Sequence, residues 1–164
     1  MRCRHKAAPD RSRKRSKALN TEIRHYEEQD LHDLLTAWEK ASRIAHPFMS
    51  EAFFEKEREN IPNLYLPNAD TWVAVVDGKV VGFIALLGNE VGGLFLDPDF
   101  HGRRIGKALM DKAQELHGDL EVDVLKDNVI GRKFYDLYGF QFVKEFLFEG
   151  TGDHLLLKLA FKAS

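Results

Sequence analysis

LFLDPDFHGRRIGKALM, residues 94–110, runs from a strand pattern into a helix pattern through a basic, glycine-spaced loop. Leu94 to Leu96 are apolar, and Asp97-Pro98 breaks the run. His101, Gly102, Arg103 and Arg104 then lead into Ile105, Gly106 and Lys107, where helical spacing begins. The N-terminus of a helix offers unpaired N–H groups and about half a positive charge, so it attracts anions. Glycine lets backbone approach a ligand closely, and arginine adds a forked donor that suits phosphate. The stretch therefore predicts a site for a phosphate-bearing ligand, built where a strand hands over to a helix.

The flanks set that junction in a fold. Upstream, TWVAVVDGKVVGFIALLG places two β-branched runs around Asp77-Gly78, the signature of a type I′ hairpin. A further strand is expected from Glu90 to Leu96, and Gly92-Gly93 within it marks a bulge or a close backbone approach. EIRHY, residues 22–26, reads as a first strand. Asp30 is placed to cap a helix reaching Arg43, and Ser50 to cap a second reaching Glu59. NIPNLYLPNAD, with two prolines, reads as an irregular connection. Downstream, Ile105, Leu109, Ala113 and Leu116 form one face of a helix. Leu120 to Leu125 is a strand. A helix over residues 128–138 is expected to bury Ile130, Phe134, Leu137 and Tyr138, and to stop at Gly139. Two strands close the chain. This order predicts a single α/β domain, with a mixed, mostly antiparallel central sheet covered by helices on both faces.

Element order, LFLDPDFHGRRIGKAL and DNVIGRKFYDLYGF together resemble the GNAT superfamily of N-acetyltransferases, over residues 22–160 and closest to its short bacterial members. The resemblance implies acetyl-CoA as donor and a primary amine as acceptor. The family's cofactor loop, Gln/Arg-x-x-Gly-x-Gly/Ala, falls on His101 to Gly106. His101 and Arg104 depart from it, and a helical backbone at 104 is expected to accept the arginine. By the same resemblance Gly102, Arg103, Arg104, Ile105, Gly106 and Lys107 hold the pyrophosphate. The edge of Leu94, Phe95 and Leu96 pairs with the pantetheine arm. Asn128, which also contacts the donor, opens the helix after the fifth strand, and Tyr135, seven residues on, lies near the reacting sulfur. Seven residues turn a helix by ~700°, which puts those two side chains within ~20° of one face.

Acetyl transfer to an amine needs a neutral nitrogen, a donor for the developing oxyanion and a proton for the leaving thiolate. Tyr135 is the expected general acid, because a phenol with pKa near ~10 remains a donor at neutral pH. Glu90 is the first candidate base and Asp123 the second. Trp38, His46 and Phe48 are candidate acceptor contacts. The alternative is a regulatory module that binds acyl-CoA without catalysis. No metal is expected.

Composition limits the partners. No apolar run approaches the ~18 residues of a membrane span, so no membrane partner is expected. The single cysteine, Cys3, cannot close an intrachain disulfide, and a cytoplasmic setting is the default. Residues 1–19 form a basic tail with local charge near +7, which leaves residues 20–164 near −9 within a formal net charge of −2. So little large apolar surface cannot sustain a fold, so the tail is expected to be disordered and the domain to span residues 20–164. Nucleic acid is expected as a partner only through the tail. A homodimer is left open.

Overall fold

The computed structural model describes residues 20–149 and 152–164; the basic tail lies outside the described residues. The chain runs β1 (Thr21–His25), α1 (Leu31–Ala45), α2 (Glu51–Asn60), β2 (Asp70–Val76), β3 (Lys79–Leu87) and β4 (Glu90–Leu96). It continues through α3 (Ile105–His117), β5 (Leu120–Leu125), α4 (Val129–Tyr138), β6 (Gln141–Leu147) and β7 (Leu155–Phe161). Among the described residues the strands form one sheet in the order β1-β2-β3-β4-β5-β7-β6. All neighbours are antiparallel except β4 and β5.

Strand alternation explains why helices cover both faces. Val73, Val75 and Phe83 pack with Leu34 and Trp38 of α1 and Phe54 of α2. Their neighbours Ala74, Val76, Ile84 and Leu86 point the other way, against Ile105, Leu109, Met110 and Ala113 of α3. The hairpin turns at Asp77 (φ 50°) and Gly78 (φ 79°), the two left-handed positions that a type I′ turn requires. Ser50 caps α2 by accepting from the Phe53 N–H at 3.2 Å.

One feature of the sheet sets the site. Parallel pairing of β4 with β5 is limited to Glu90 with Glu121 and Val91 with Val122. The β3–β4 ladder then slips between Ala85 and Leu86, leaving Gly92 without a partner as a bulge. Beyond it Leu94, Phe95 and Leu96 remain paired with β3 while their other edge has left β5.

Four expectations are corrected. Asp30 stands at the N-cap position of α1, but its side chain caps no N–H of that helix, which a 3-10 turn (Glu28–Asp30) precedes. The Asp30 carboxylate instead takes both arms of Arg24 at 2.8 and 2.9 Å, plus the Glu27 N–H at 2.8 Å. This buried ion pair with Arg24 holds the Asp30 carboxyl below the usual carboxylate range. The segment expected to be irregular is a π turn (Ile61–Tyr65) followed by a 3-10 turn (Leu66–Asn68). Leu116 is exposed, and Met110 takes its place in the core. Finally, α4 is rotated from its expected orientation: Leu137 is 77% and Ile130 44% exposed, whereas Tyr135 is 6% exposed. The helix packs through Phe134, Tyr135 and Tyr138, whose rings meet one another and Phe140.

Candidate active site

Where β4 parts from β5 a cavity of about 300 Å³ opens. One wall is the edge of Leu94, Phe95 and Leu96, and a second is the mouth of α3 with Gly102, Arg104, Ile105, Gly106 and Lys107. The third is α4, from its cap Asn128 through Gly131 to Phe134 and Tyr135. The last turn of α1 (Ala41, Ile44, Ala45) and His46 complete the lining. The structure thus gathers Leu94, Phe95, Leu96, Gly102, Arg104, Ile105, Gly106, Lys107, Asn128, Tyr135 and His46 around one space.

The α3 mouth suits an anion. Helix geometry leaves the first N–H groups of α3 without intrahelical acceptors. Arg104, expected to be helical, is instead left-handed (φ 60°, ψ 22°) as the residue flanking α3. That conformation costs a side-chain-bearing residue roughly 1–2 kcal/mol, and it explains why the family pattern has glycine here. Arg104→Gly should therefore raise the melting temperature by a few degrees, the yield of ~1 kcal/mol in a chain of this size. The same change removes a cation from the cavity wall and should weaken nucleotide binding; thermal melts and calorimetric titration check the two signs. Arg103 turns elsewhere, its guanidinium stacked over the Phe100 ring at 5.1 Å, and it does not line the cavity.

Asn128 fixes the entry to α4. Its Oδ1 accepts from the Gly131 N–H at 2.8 Å, and its Nδ2 lies 3.3 Å from His46 Nε2. Two turns on, burial pushes the Tyr135 phenol well above the usual tyrosine range, so it stays protonated at neutral pH. Withdrawal from water pushes His46 the other way, down to about 4, so its imidazole is neutral.

The other named residues lie outside the cavity lining. Trp38 is 4% exposed and belongs to the core between α1, α2 and the sheet. The Phe48 ring lies 5.9 Å from that of His46 and 5.2 Å from that of His154. Asp123 sits across the β5–β7 ladder from Lys158, with 3.1 Å between charged atoms. That bond to Asp123, with the nearby charges of Glu121 and Glu90, holds the Lys158 ammonium above its ordinary range. Glu90, Glu121 and Asp123 therefore form a charged patch on the sheet, on the face opposite to Val91, Val122 and Val124.

Sequence reasoning passed over Ala41, Ile44 and Ala45, because nothing distinguishes small residues on a cavity wall from those on any helix surface. It also passed over Gly131, for which there was a signal. Glycine inside a helix costs about 1 kcal/mol against alanine, so its presence implies a close approach. A Cβ at 131 would stand 2.5 Å from Asn128 Nδ2.

The site is thus a cleft between splayed parallel strands, closed by a helix mouth and a buried tyrosine. The acetyltransferase (GNAT) domain family matches residues 67–142. The peptidyl-lysine N-acetyltransferase YjaB of Salmonella typhimurium is 35% identical over 120 residues, covering 73% of this chain and 82% of that protein. The peptidyl-lysine N-acetyltransferase YiaC of Escherichia coli is 32% identical over 122 residues, covering 74% and 84%. The solution structure of apo YjaB from Escherichia coli superposes with a TM-score of 0.77 at 28% identity, over 88% of this chain and 99% of that one. The chain belongs to the GNAT family of N-acetyltransferases. It is an enzyme that takes the acetyl group of acetyl-CoA to an amine.

Proposed function

We propose that the acceptor is the side-chain amine of lysine in a peptide or protein. Acetyl transfer at this site is supported by a single cavity uniting the strand edge of β4, the cationic mouth of α3 and the buried phenol of Tyr135. The lysine specificity draws on YjaB and YiaC, both named for that acceptor. A body carrying about −9 of charge outside the tail favours approach of a cationic amine.

Acetyl-CoA, when bound, supplies the activated thioester. The N–H groups of Ile105, Gly106 and Lys107, with the Arg104 cation, hold the phosphate end, and the main chain of Leu94 to Leu96 holds the arm. The acceptor nitrogen attacks the thioester carbonyl directly, because the only cysteine in the chain is Cys3, in the tail. As the carbon–sulfur bond breaks, Tyr135 gives its phenolic proton to the departing thiolate. The proton shed by the nitrogen leaves through water toward Glu90, with Asp123 as the second candidate. We place the reaction in the cytoplasm, on the reading of one unpaired cysteine.

The test is mass spectrometry of lysine peptides incubated with enzyme and acetyl-CoA, with spermidine and free amino acids in parallel. Peptides should gain one acetyl group on the lysine side chain. Acetylation confined to small amines would overturn the lysine assignment.

A further inference from the structure

The contact between His46 and Asn128 joins the end of α1 to the start of α4, and none of the roles given so far requires it. The backbone of His46 is fixed on both sides. Its N–H donates to the Ser42 carbonyl at 2.7 Å, and its carbonyl accepts from the Met49 N–H at 3.1 Å. The Asn128 amide is not free to choose which end it offers. Its Oδ1 is taken by the Gly131 N–H, so Nδ2 faces the imidazole. An amide NH₂ only donates, so Nε2 of His46 carries a lone pair and the ring proton sits on Nδ1. Gly131 makes the arrangement possible, since any side chain there would strike Asn128 Nδ2. The Asn128 carbonyl also accepts from the Arg132 N–H at 3.0 Å, which ties the residue twice into the first turn of α4.

We propose that His46 is a positioning residue for acetyl transfer. Through its neutral Nε2 it holds the Asn128 amide, and with it the first turn of α4, against the α1–α2 joint. That sets the helix carrying Tyr135 relative to the acceptor side of the cavity. The inference rests on the acid role of Tyr135. Reaction geometry is sensitive at this scale: a misplacement of about 1 Å can cost on the order of a hundredfold in rate.

Two substitutions separate the acceptor atom from the bulk of the ring. His46→Phe keeps a ring that can pack against Phe48 and removes the lone pair; His46→Gln keeps an acceptor oxygen within reach. His46→Phe should lower kcat about tenfold, with KM for both substrates within about twofold. His46→Gln should recover most of that loss. In an Asn128→Ala background His46→Phe should have little further effect, since the two residues act as one unit. Nitrogen-15 spectra of the free enzyme should show the neutral Nδ1–H imidazole. Amide exchange at Gly131 should quicken in His46→Phe but not in His46→Gln, with thermal melts confirming that each variant is folded.

Wild-type turnover in His46→Phe, a glutamine variant no better than phenylalanine, or additive losses with Asn128→Ala would each overturn the proposal. Tyr135→Phe is assayed beside them. Full turnover there removes the acid role, while the imidazole spectrum and Gly131 exchange still report on the contact itself.

Discussion

Replacing Tyr135 with phenylalanine should lower kcat by about a hundredfold or more, the range in which a positioned general acid contributes, and leave acetyl-CoA affinity nearly unchanged. The phenol ring is buried against Phe134 and Phe140, at 5.5 and 5.3 Å between centroids, and a phenylalanine ring keeps both contacts. The substitution therefore deletes one hydroxyl and little packing. Burial holds that hydroxyl protonated across the working pH range, so the loss should be uniform between pH 6 and 9 rather than titrating. Initial rates of thiol release at saturating substrates give kcat, and calorimetry gives the affinity. Turnover equal to wild type would remove Tyr135 from the acid role.

The second large effect is on stability. The folded protein holds His46 neutral down to about pH 4, whereas the unfolded chain protonates it near 6.5. Below pH 6.5 the unfolded state thus binds a proton that the folded state refuses, and stability falls as the pH falls. The contribution is fully present above 6.5 and is lost as the pH drops through the folded value, by about 3 kcal/mol. Asp30 and the other carboxylates add their own losses at the acid end, so the informative quantity is a difference between proteins. Urea unfolding at pH 7 and pH 4.5 should show a smaller drop for His46→Phe than for wild type. Equal drops would mean that His46 titrates normally in the folded state.

β4 and β5 were legible to the residue, and the hairpin at its turn, because each is set locally, by Asp77-Gly78 or by an apolar run with breakers at its ends. The loop around residues 101–104 and the start of α3 were legible as a strand-to-helix junction for the same reason, since breakers and helical spacing mark it locally. The failures share a different cause. Which side of α4 is buried depends on a sheet that has come apart beneath it, and a ten-residue amphipathic pattern does not record that. The insertion of β7 between β5 and β6 is likewise a long-range pairing with no local mark. Trp38 at helical spacing is more often core than pocket, and the arrival of α2 and the π turn against it makes it core here. Arg104 was read as helical because nothing in its neighbours signals a positive φ. The glycine of the family pattern held that information.

The unpaired edge of β4 has a consequence for how this enzyme can change over generations. A strand edge presents the same N–H and C=O groups whichever side chains it carries, except where proline removes a donor. The backbone groups that Leu94, Phe95 and Leu96 offer to the cleft are therefore independent of side-chain identity, provided the replacements still fill the core contacts of Leu94 and Leu96 and the place of Phe95 beside Phe83. Sensitivity to substitution lies instead at positions such as Gly131, where a Cβ would stand 2.5 Å from Asn128 Nδ2. Acceptor contacts on the α1–α2 joint other than His46 can therefore change while the donor cleft, encoded mostly in backbone, stays as it is.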